Sequence, residues 1–238
     1  MTIDYFMNQP IEIIRELFEF FKQTDKLVIF DIGSCEGLDS IRYSKLFPNS
    51  KIFAFEPLKE NVKKINANLL KYNITNVMVY KIALSNHIGQ SIFYVSSGSP
   101  NGKEEKNTWD YGNKSSSLLA PLKTLEIFQW LKFKDKINVT TDTLLTFCNT
   151  HKIEQIDFVH LDVQGAELMV LEGAAFFISK IKMIWMEVEN VDLYKNQPLK
   201  KDIQEFMLKK GFIKIKDTVN KISGDQLWIN HKYVNKKL

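Results

Sequence analysis

Two acidic residues stand where strand-like segments should give way to turns. Asp31 lies in the apolar run Leu27–Ile32 (LVIFDI), and Gly33, Ser34 and Gly37 follow it before a helical stretch opens. Glu56 closes the next such run, KIFAFE, 25 residues beyond Asp31, with Pro57 behind it. A glycine turn lets the backbone approach a ligand closely, and a helix N-terminus offers free N–H groups to an anion. An acidic residue about 20 residues after such a turn suits bidentate hydrogen bonding to ribose hydroxyls. Together the two segments predict an adenosine-containing ligand lying across the first two strand ends.

The spacing Gly33-x-x-x-Gly37 misses the dinucleotide fingerprint, and no Gly-Lys-Ser/Thr follows to form a P-loop. The close-packed glycines that a pyrophosphate needs are absent, while an aspartate at the strand end suits a cationic or amine-bearing ligand. S-adenosylmethionine has both features. A third segment, IDFVHLDVQGAELMVLEGA (residues 156–174), ends a strand at Asp162 and turns sharply at Gly165. That strand should neighbour the first, at the switch point where ligands bind. Transfer of a methyl group to a hydroxyl benefits from a general base within hydrogen-bond reach. Asp162 is the favoured candidate as base or acceptor-orienting group, with Glu187, Glu189 and Asp192 behind it. His160, two residues earlier on the same strand face, is a catalytic candidate whose plainer reading is a hydrogen-bonded core histidine. Glu167 could hold a backbone N–H at its own helix start. Asp162, Glu167 and Glu189 together would make a Mg²⁺ site, but carboxylate clusters are not metal-specific and no metal is expected. The scattered histidines and cysteines show no zinc spacing.

Positioning these residues calls for strands that alternate with helices, hence a doubly wound α/β sheet. Helical spacing is read over 10–23, 37–47, 58–72, 142–151, 166–179 and 199–210. Strands are read over 27–32, 51–56, 77–83, 91–95, 156–162, 181–189, 212–216 and 226–231. Residues 96–117 form one long polar stretch, read as a lid or substrate loop, with Trp109 and Tyr111 as its aromatic members. The aromatic run 128–133 either lines an acceptor pocket or covers the core. The chain is expected to be a single domain over 1–238, with a helical extension at 1–24 and a basic tail at 232–238.

The segments FDIGSCEG, AFEP with Asn61 beyond it, KIALS, SSSL, VTTDTL and above all IDFVHLDVQGAELMVLEGA resemble the FkbM-type S-adenosylmethionine-dependent methyltransferases. They span roughly residues 27–190, in that family's order and spacing. One departure is Gln164, where the family more often has Glu. The resemblance implies a seven-stranded Rossmann-like methyltransferase sheet with the last strand antiparallel. It implies methyl transfer from S-adenosylmethionine to oxygen, commonly a hydroxyl of a sugar, glycan or polyketide. On it, Asp31, Gly33, Ser34 and Gly37 look like the loop at the methionine end of the cofactor. Glu56 with Pro57 looks like the ribose site, Leu58 like an adenine-face contact, and Ile82-Ala83 like the adenine edge. Asp162 sits where a polar group lies near the reacting methyl. Ser116 and Ser117 match the family's serine block and are read, with Trp109 and Tyr111, as substrate residues.

Composition sets the outer limits. The 238 residues are 45% hydrophobic and 25% charged, which excludes a wholly disordered or collagen-like chain. With 32 Lys and Arg against 28 Asp and Glu, the net charge is +4, without the basic stripe of a dedicated nucleic-acid binder. Two cysteines make no disulfide framework, no secretory segment is read at the N-terminus, and no apolar run reaches the length of a membrane span. The expectation is a cytoplasmic enzyme acting on a small-molecule or glycan acceptor, with a homodimer left open. The competing readings are methylation of nucleic acid or protein, and a cofactor-binding module that regulates a partner.

Overall fold

The computed structural model describes residues 3–100 and 111–234. Its elements in chain order begin with α1 (Ile3–Asn8), α2 (Ile14–Phe20), β1 (Val28–Ile32), α3 (Leu38–Leu46), β2 (Lys51–Phe55), α4 (Lys59–Lys71) and β3 (Val77–Tyr80). There follow β4 (Ala83–Ser85), β5 (Gly89–Ser97), a 3₁₀ turn at Tyr111–Ser115, α5 (Thr124–Ile127), β6 (Lys132–Thr143) and α6 (Leu144–Thr150). The chain continues through β7 (Ile156–Leu161), α7 (Glu167–Gly173), a 3₁₀ turn at Ala175–Lys180, β8 (Ile181–Glu189), α8 (Lys200–Lys209), β9 (Phe212–Asp217), β10 (Ser223–Asn230) and α9 (His231–Val234).

Seven strands form the main sheet in the order β3-β2-β1-β7-β8-β10-β9. The pairs from β3 through β8 are parallel, and β10 runs antiparallel to both β8 and β9, as expected for the last strand. Strand residues alternate between two apolar layers. Phe30, Ile32, Phe53 and Phe55 face one layer, where Phe147 of α6, Val170 and Leu171 of α7 and Met207 of α8 cover them. Ile29, Ile52, Phe158 and Trp185 face the other, against Leu17 of α2 and Tyr43 of α3. Asp31 and His160 share the second face and stand opposite each other in the β1–β7 register.

Several boundaries differ from the sequence reading. The helix read over 10–23 narrows to α2 at Ile14–Phe20, preceded by the unread α1, and α2 closes at Phe20 because the next residue is extended (φ −128°, ψ 146°). That turn sends the Phe21 ring edge-on against Phe47. The segment read as one strand over 77–83 becomes two. β3 stays in the main sheet, while β4 joins a second sheet of order β4-β6-β5 that the sequence did not announce. The helix read to 179 ends at Gly173, whose Cα packs so closely on Ser85 that a Cβ there would lie 2.0 Å from its carbonyl oxygen. Among the described residues no helix is long and apolar enough to cross a membrane.

The tightest point of the fold is the junction of β1 and β7. Asp162 N–H donates to the Ile32 carbonyl at 3.0 Å. Gly33 has φ +89°, and a Cβ built on it would meet the Asp162 carbonyl oxygen at 1.7 Å. The glycine allows backbone-to-backbone contact between two strand ends. Both the left-handed φ and the collision penalise any side chain, so Gly33→Ala should destabilise by at least ~2 kcal/mol in a denaturant titration. A loss below ~0.5 kcal/mol, the usual range for an unremarkable surface change, would mean that the two strand ends can part freely.

Candidate active site

Asp31 is 1% exposed and bound on both oxygens. Its Oδ2 accepts the Ser40 hydroxyl of α3, and its Oδ1 lies 3.1 Å from His160 Nδ1. The His160 ring also meets Tyr43 edge-on at 5.7 Å between centroids. Burial alone would lower the His160 pKa, but the hydrogen bond and charge of Asp31, with Asp39 and Asp162 beyond, outweigh it and raise the value to about 9. The imidazole is therefore cationic at neutral pH. It neutralises Asp31 instead of standing ready to take a proton.

The loop after β1 differs from the expected anion cradle. Gly33 and Ser34 N–H both donate to the Phe55 carbonyl at 3.0 Å, Gly37 N–H donates to Ser34, and Cys35 N–H donates to Glu56 Oε2 at 3.0 Å. The left-handed Cys35 (φ 49°) supports that last bond. Four of the loop's N–H groups are thus engaged within the protein. Ser34 turns its hydroxyl back to the Asp31 carbonyl at 2.7 Å.

Glu56 is 5% exposed. Its Oε1 accepts Leu58 N–H at 2.8 Å, its Oε2 accepts Cys35 N–H, and the Asn61 side chain hydrogen-bonds the carboxylate. Burial drives its pKa up and the Asp31 charge adds to the rise. The three donors oppose it and leave the value at about 7. A carboxylate this strained by burial gains from any ligand that brings two further hydroxyl donors.

A cleft of about 910 Å³, partly open to solvent, joins these groups. Asp31, Gly33, Ser34, Glu56, Pro57, Ile82, Ala83, Ser116, His160 and Asp162 all line it, alongside the apolar Phe55, Leu84, Phe93 and Leu118. Asn61, Asn113, Lys114 and Gln164 line it as well. Asn113 and Lys114 come from the 3₁₀ turn Tyr111–Ser115, just before the serine block. Burial lowers the Lys114 pKa to about 8, against the pull of nearby Cys35, Asp39 and Asp162. Asn113 opens an Asn-Lys-Ser sequon, which says nothing of a cleft, and closeness to SSSL is the signal that could have marked the pair.

Beyond Asp162 lies an acidic region built by register. Glu187 faces Asp225 across β8 and β10. Gln164, left-handed at φ 56°, spans the region with one amide. Its Nε2 donates to Asp162 Oδ1 at 2.7 Å and to Glu187 Oε2, and its Oε1 lies 3.2 Å from the Tyr194 hydroxyl, which is nearer the Ser115 carbonyl at 2.8 Å. Burial, with neighbouring carboxylates, holds Glu187 and Glu189 well above the usual range and moves Asp225 up to about 6. Glu167, pushed up to about 8 by burial, accepts Val163 N–H at 2.9 Å and Gly165 N–H at 3.3 Å, which fixes the turn below the cleft.

Five expected site residues stand elsewhere. Glu189 is 1% exposed and outside the cleft lining, so its carboxyl cannot reach an acceptor there. Gly37 caps α3 with φ 74° and faces Ile65, not the cleft. Leu58 gives its N–H to Glu56, while its side chain packs with Ala83, Phe93 and Val139. Ser117 is fully buried and donates to the Gln164 carbonyl at 2.7 Å, a structural bond. Tyr111 opens the 3₁₀ turn outside the lining, and Trp109 lies outside the described residues. Among the described residues no three His, Cys, Asp or Glu converge to hold a metal ion, Asp162, Glu167 and Glu189 included. The aromatic run 128–133 is also absent from the lining; Phe133 instead meets Tyr194 edge-on at 6.4 Å.

The lining fits an elongated ligand with a cationic end, a diol in the middle and a flat apolar end. By chemistry the buried Asp31 carboxylate suits the first, the Glu56 carboxylate the second, and the strip Phe55, Pro57, Ile82, Ala83 and Phe93 the third, all of them on the cleft wall. S-adenosylmethionine has this make-up. Residues 31–214 match the methyltransferase FkbM domain. The chain is 30% identical over 190 residues to the 2-O-methyltransferase NoeI of Sinorhizobium fredii, covering 80% of this chain and 74% of that protein. It is also similar to the crystal structure of a SAM-dependent methyltransferase from Aquifex aeolicus, at 12% identity, TM-score 0.48 and 96% coverage of both chains. A third similarity is to a precorrin-6y C5,15-methyltransferase from Geobacter metallireducens, at 17% identity and TM-score 0.43, covering 87% of this chain and 79% of that one.

The His160–Asp31 pair makes a stability prediction. The folded pKa of about 9 lies above the ordinary 6.5. Its contribution is therefore fully present below about pH 6.5 and lost as pH rises through about 9. The wild type should lose up to ~3 kcal/mol relative to His160→Gln across that window, measured by urea unfolding at successive pH values. Parallel profiles for the two proteins would show that the folded imidazole is neutral.

Proposed function

Since the chain belongs to the FkbM methyltransferase family, we propose that it methylates a hydroxyl group of a sugar, in a glycan or glycosylated metabolite, with S-adenosylmethionine as donor. The cofactor and the class of reaction follow from the family. The oxygen acceptor rests chiefly on one observation, the likeness to a 2-O-methyltransferase along 80% of the chain. A sugar is favoured by the polar character of the region beyond the cofactor cleft. There Asp162, Gln164, Glu187 and Asp225 offer carboxylates and an amide, the groups that hydrogen-bond a polyol.

When bound, the cofactor supplies a methyl group on a positively charged sulfur. Asp31 holds the amine at the methionine end, and Ser40 and His160 fix that carboxylate in place. Glu56 accepts the ribose hydroxyls, and the slot of Pro57, Ile82, Ala83 and Phe93 takes the adenine. Asp162 accepts the proton of the acceptor hydroxyl. Its Oδ1 is held by Gln164, which orients the carboxylate and leaves Oδ2 for the substrate. Orientation of the two reactants then accounts for much of the acceleration, as in other in-line displacements.

Titration with S-adenosylhomocysteine checks the cofactor half of the reading. Glu56→Ala and Asp31→Asn should each bind at least ~10-fold more weakly than the wild type, the loss of roughly one charge-assisted hydrogen bond. Radiolabelled transfer to a panel of glycans checks the acceptor half. Asp162→Asn should reduce turnover by about 10²–10⁴-fold while cofactor affinity holds. Near-normal turnover in that variant would remove Asp162 as the base, and label entering RNA or protein instead of glycan would replace the acceptor class.

A further inference from the structure

We propose that Lys114 takes the carboxylate at the methionine end of S-adenosylmethionine, so that Asp31 and Lys114 together hold the two charges of that end. The inference rests on the assignment of the amine to Asp31 and deepens it by naming the group that meets the opposite charge.

The methionine end of the cofactor is a zwitterion, and its carboxylate needs donors or a positive charge where it comes to rest. The loop after β1 supplies few. Gly33, Ser34, Cys35 and Gly37 commit their N–H groups to the Phe55 carbonyl, the Glu56 carboxylate and the Ser34 carbonyl. The start of α3 is already acidic, with Glu36 just before it and Asp39 in its first turn, and both line the cleft. Asp31, Glu56 and Asp162 bring the acids of the described lining to five. A further carboxylate entering among them is repelled unless a cation stands beside it.

Among the described residues of the lining, Lys114 is the sole lysine or arginine. His160, the other basic side chain there, is bound to Asp31 at 3.1 Å. Arg42 of α3 and Lys64 of α4 pair with Asp39 at 3.0 Å and with Glu36 at 2.9 Å, and neither cation lines the cleft.

The fold also carries Lys114 to the right end of the site. One residue before it, Asn113 Nδ2 donates to Asn61 Oδ1 of α4 at 2.5 Å and lies 3.8 Å from Cys35 Sγ. Three residues after it, the Ser117 hydroxyl donates to the Gln164 carbonyl, in the turn beyond β7, at 2.7 Å. Between these anchors Ser115 N–H donates to Ser96 Oγ at 3.1 Å, and the Ser115 carbonyl accepts the Tyr194 hydroxyl at 2.8 Å. Helix α4 follows β2, and β1 lies between β2 and β7 in the sheet. Residues 113–117 therefore span the cleft from the β2 side to the β7 side, over the strand that carries Asp31. Burial lowers the Lys114 pKa only to about 8, so the ammonium persists at neutral pH. A ligand carboxylate offsets the cost of holding that charge out of water.

Calorimetric titration of the full chain with two ligands tests this. One is S-adenosylhomocysteine; the other is its decarboxylated analogue, in which an aminopropyl chain replaces the amino-acid chain. Lys114→Met should bind S-adenosylhomocysteine at least about tenfold more weakly than the wild type, the fold-change of one charge-assisted hydrogen bond. Its affinity for the analogue, which has no carboxylate, should fall by less than about twofold. A lysine that merely steadied the turn would weaken both ligands alike. Lys114→Gln carries the same comparison if the methionine variant folds poorly. Equal losses for the two ligands, or no loss for either, overturn the proposal and leave the Asp31 reading standing. Both ligands keep the amine, so Asp31→Asn should weaken both. If it weakens neither, the amine assignment fails and this inference falls with it.

Discussion

The contact between Gly33 and the Asp162 carbonyl governs the geometry of the whole site. Strand order reverses between β1 and β7, and in open α/β sheets such a reversal opens a crevice at the strand ends. Here the crevice is shallow at its base, because the two chain ends touch backbone to backbone. That contact brings Asp31, which precedes Gly33, within one strand spacing of His160 and Asp162. It also sends the chain after Gly33 sideways over β2, where Gly33 and Ser34 N–H both find the Phe55 carbonyl and Cys35 N–H finds Glu56. The carboxylates of Glu56 and Asp31 are therefore set by one backbone path.

Burial then decides what each acid can do. Asp31 carries a hydroxyl and an imidazolium as partners, while Glu56 carries three neutral donors and stays near the midpoint of its titration. Glu167 shows a third outcome, an acid turned inward onto the N–H groups of Val163 and Gly165 so that the loop below the cleft keeps its shape.

Much of this could be read from residue order. The main sheet was legible because its strands are short apolar runs, and Asp31 and Glu56 were placed in the cleft by where those runs end, while Ile82 and Ala83 were placed there by the family resemblance. The second sheet was not, since β6 is KFKDKINVTTDT, a largely exposed strand whose partners cover little of it. Its charged stretch gives no burial pattern to follow. Ser117 was misread for a related reason. In a serine block, sequence does not show which hydroxyl faces a ligand, and only Ser116 does. Asn113 was invisible because its chemistry is a contact with Asn61 and no local spacing records such a pairing. Gly37 was misplaced because a left-handed helix cap and a ligand-facing glycine look alike until the neighbouring Ile65 is seen.

Gln164 ties together the acids beyond Asp162 with a single neutral amide. Asp162 follows the end of β7 beside Glu187 of the parallel β8, and Asp225 faces Glu187 from the antiparallel side. Burial first, and the neighbouring carboxylates after it, raise the pKa of Glu187 and Asp225. An amide at position 164 supplies a donor to both Asp162 and Glu187 and adds no charge. A glutamate there would offer no such donor when ionised and would add a fourth negative charge to the same face. The Tyr194 hydroxyl lies 3.2 Å from the amide oxygen and has its single proton closest to the Ser115 carbonyl, at 2.8 Å. The Gln164 donor keeps Asp162 oriented, while the proton excess of the region resides on the acids behind it.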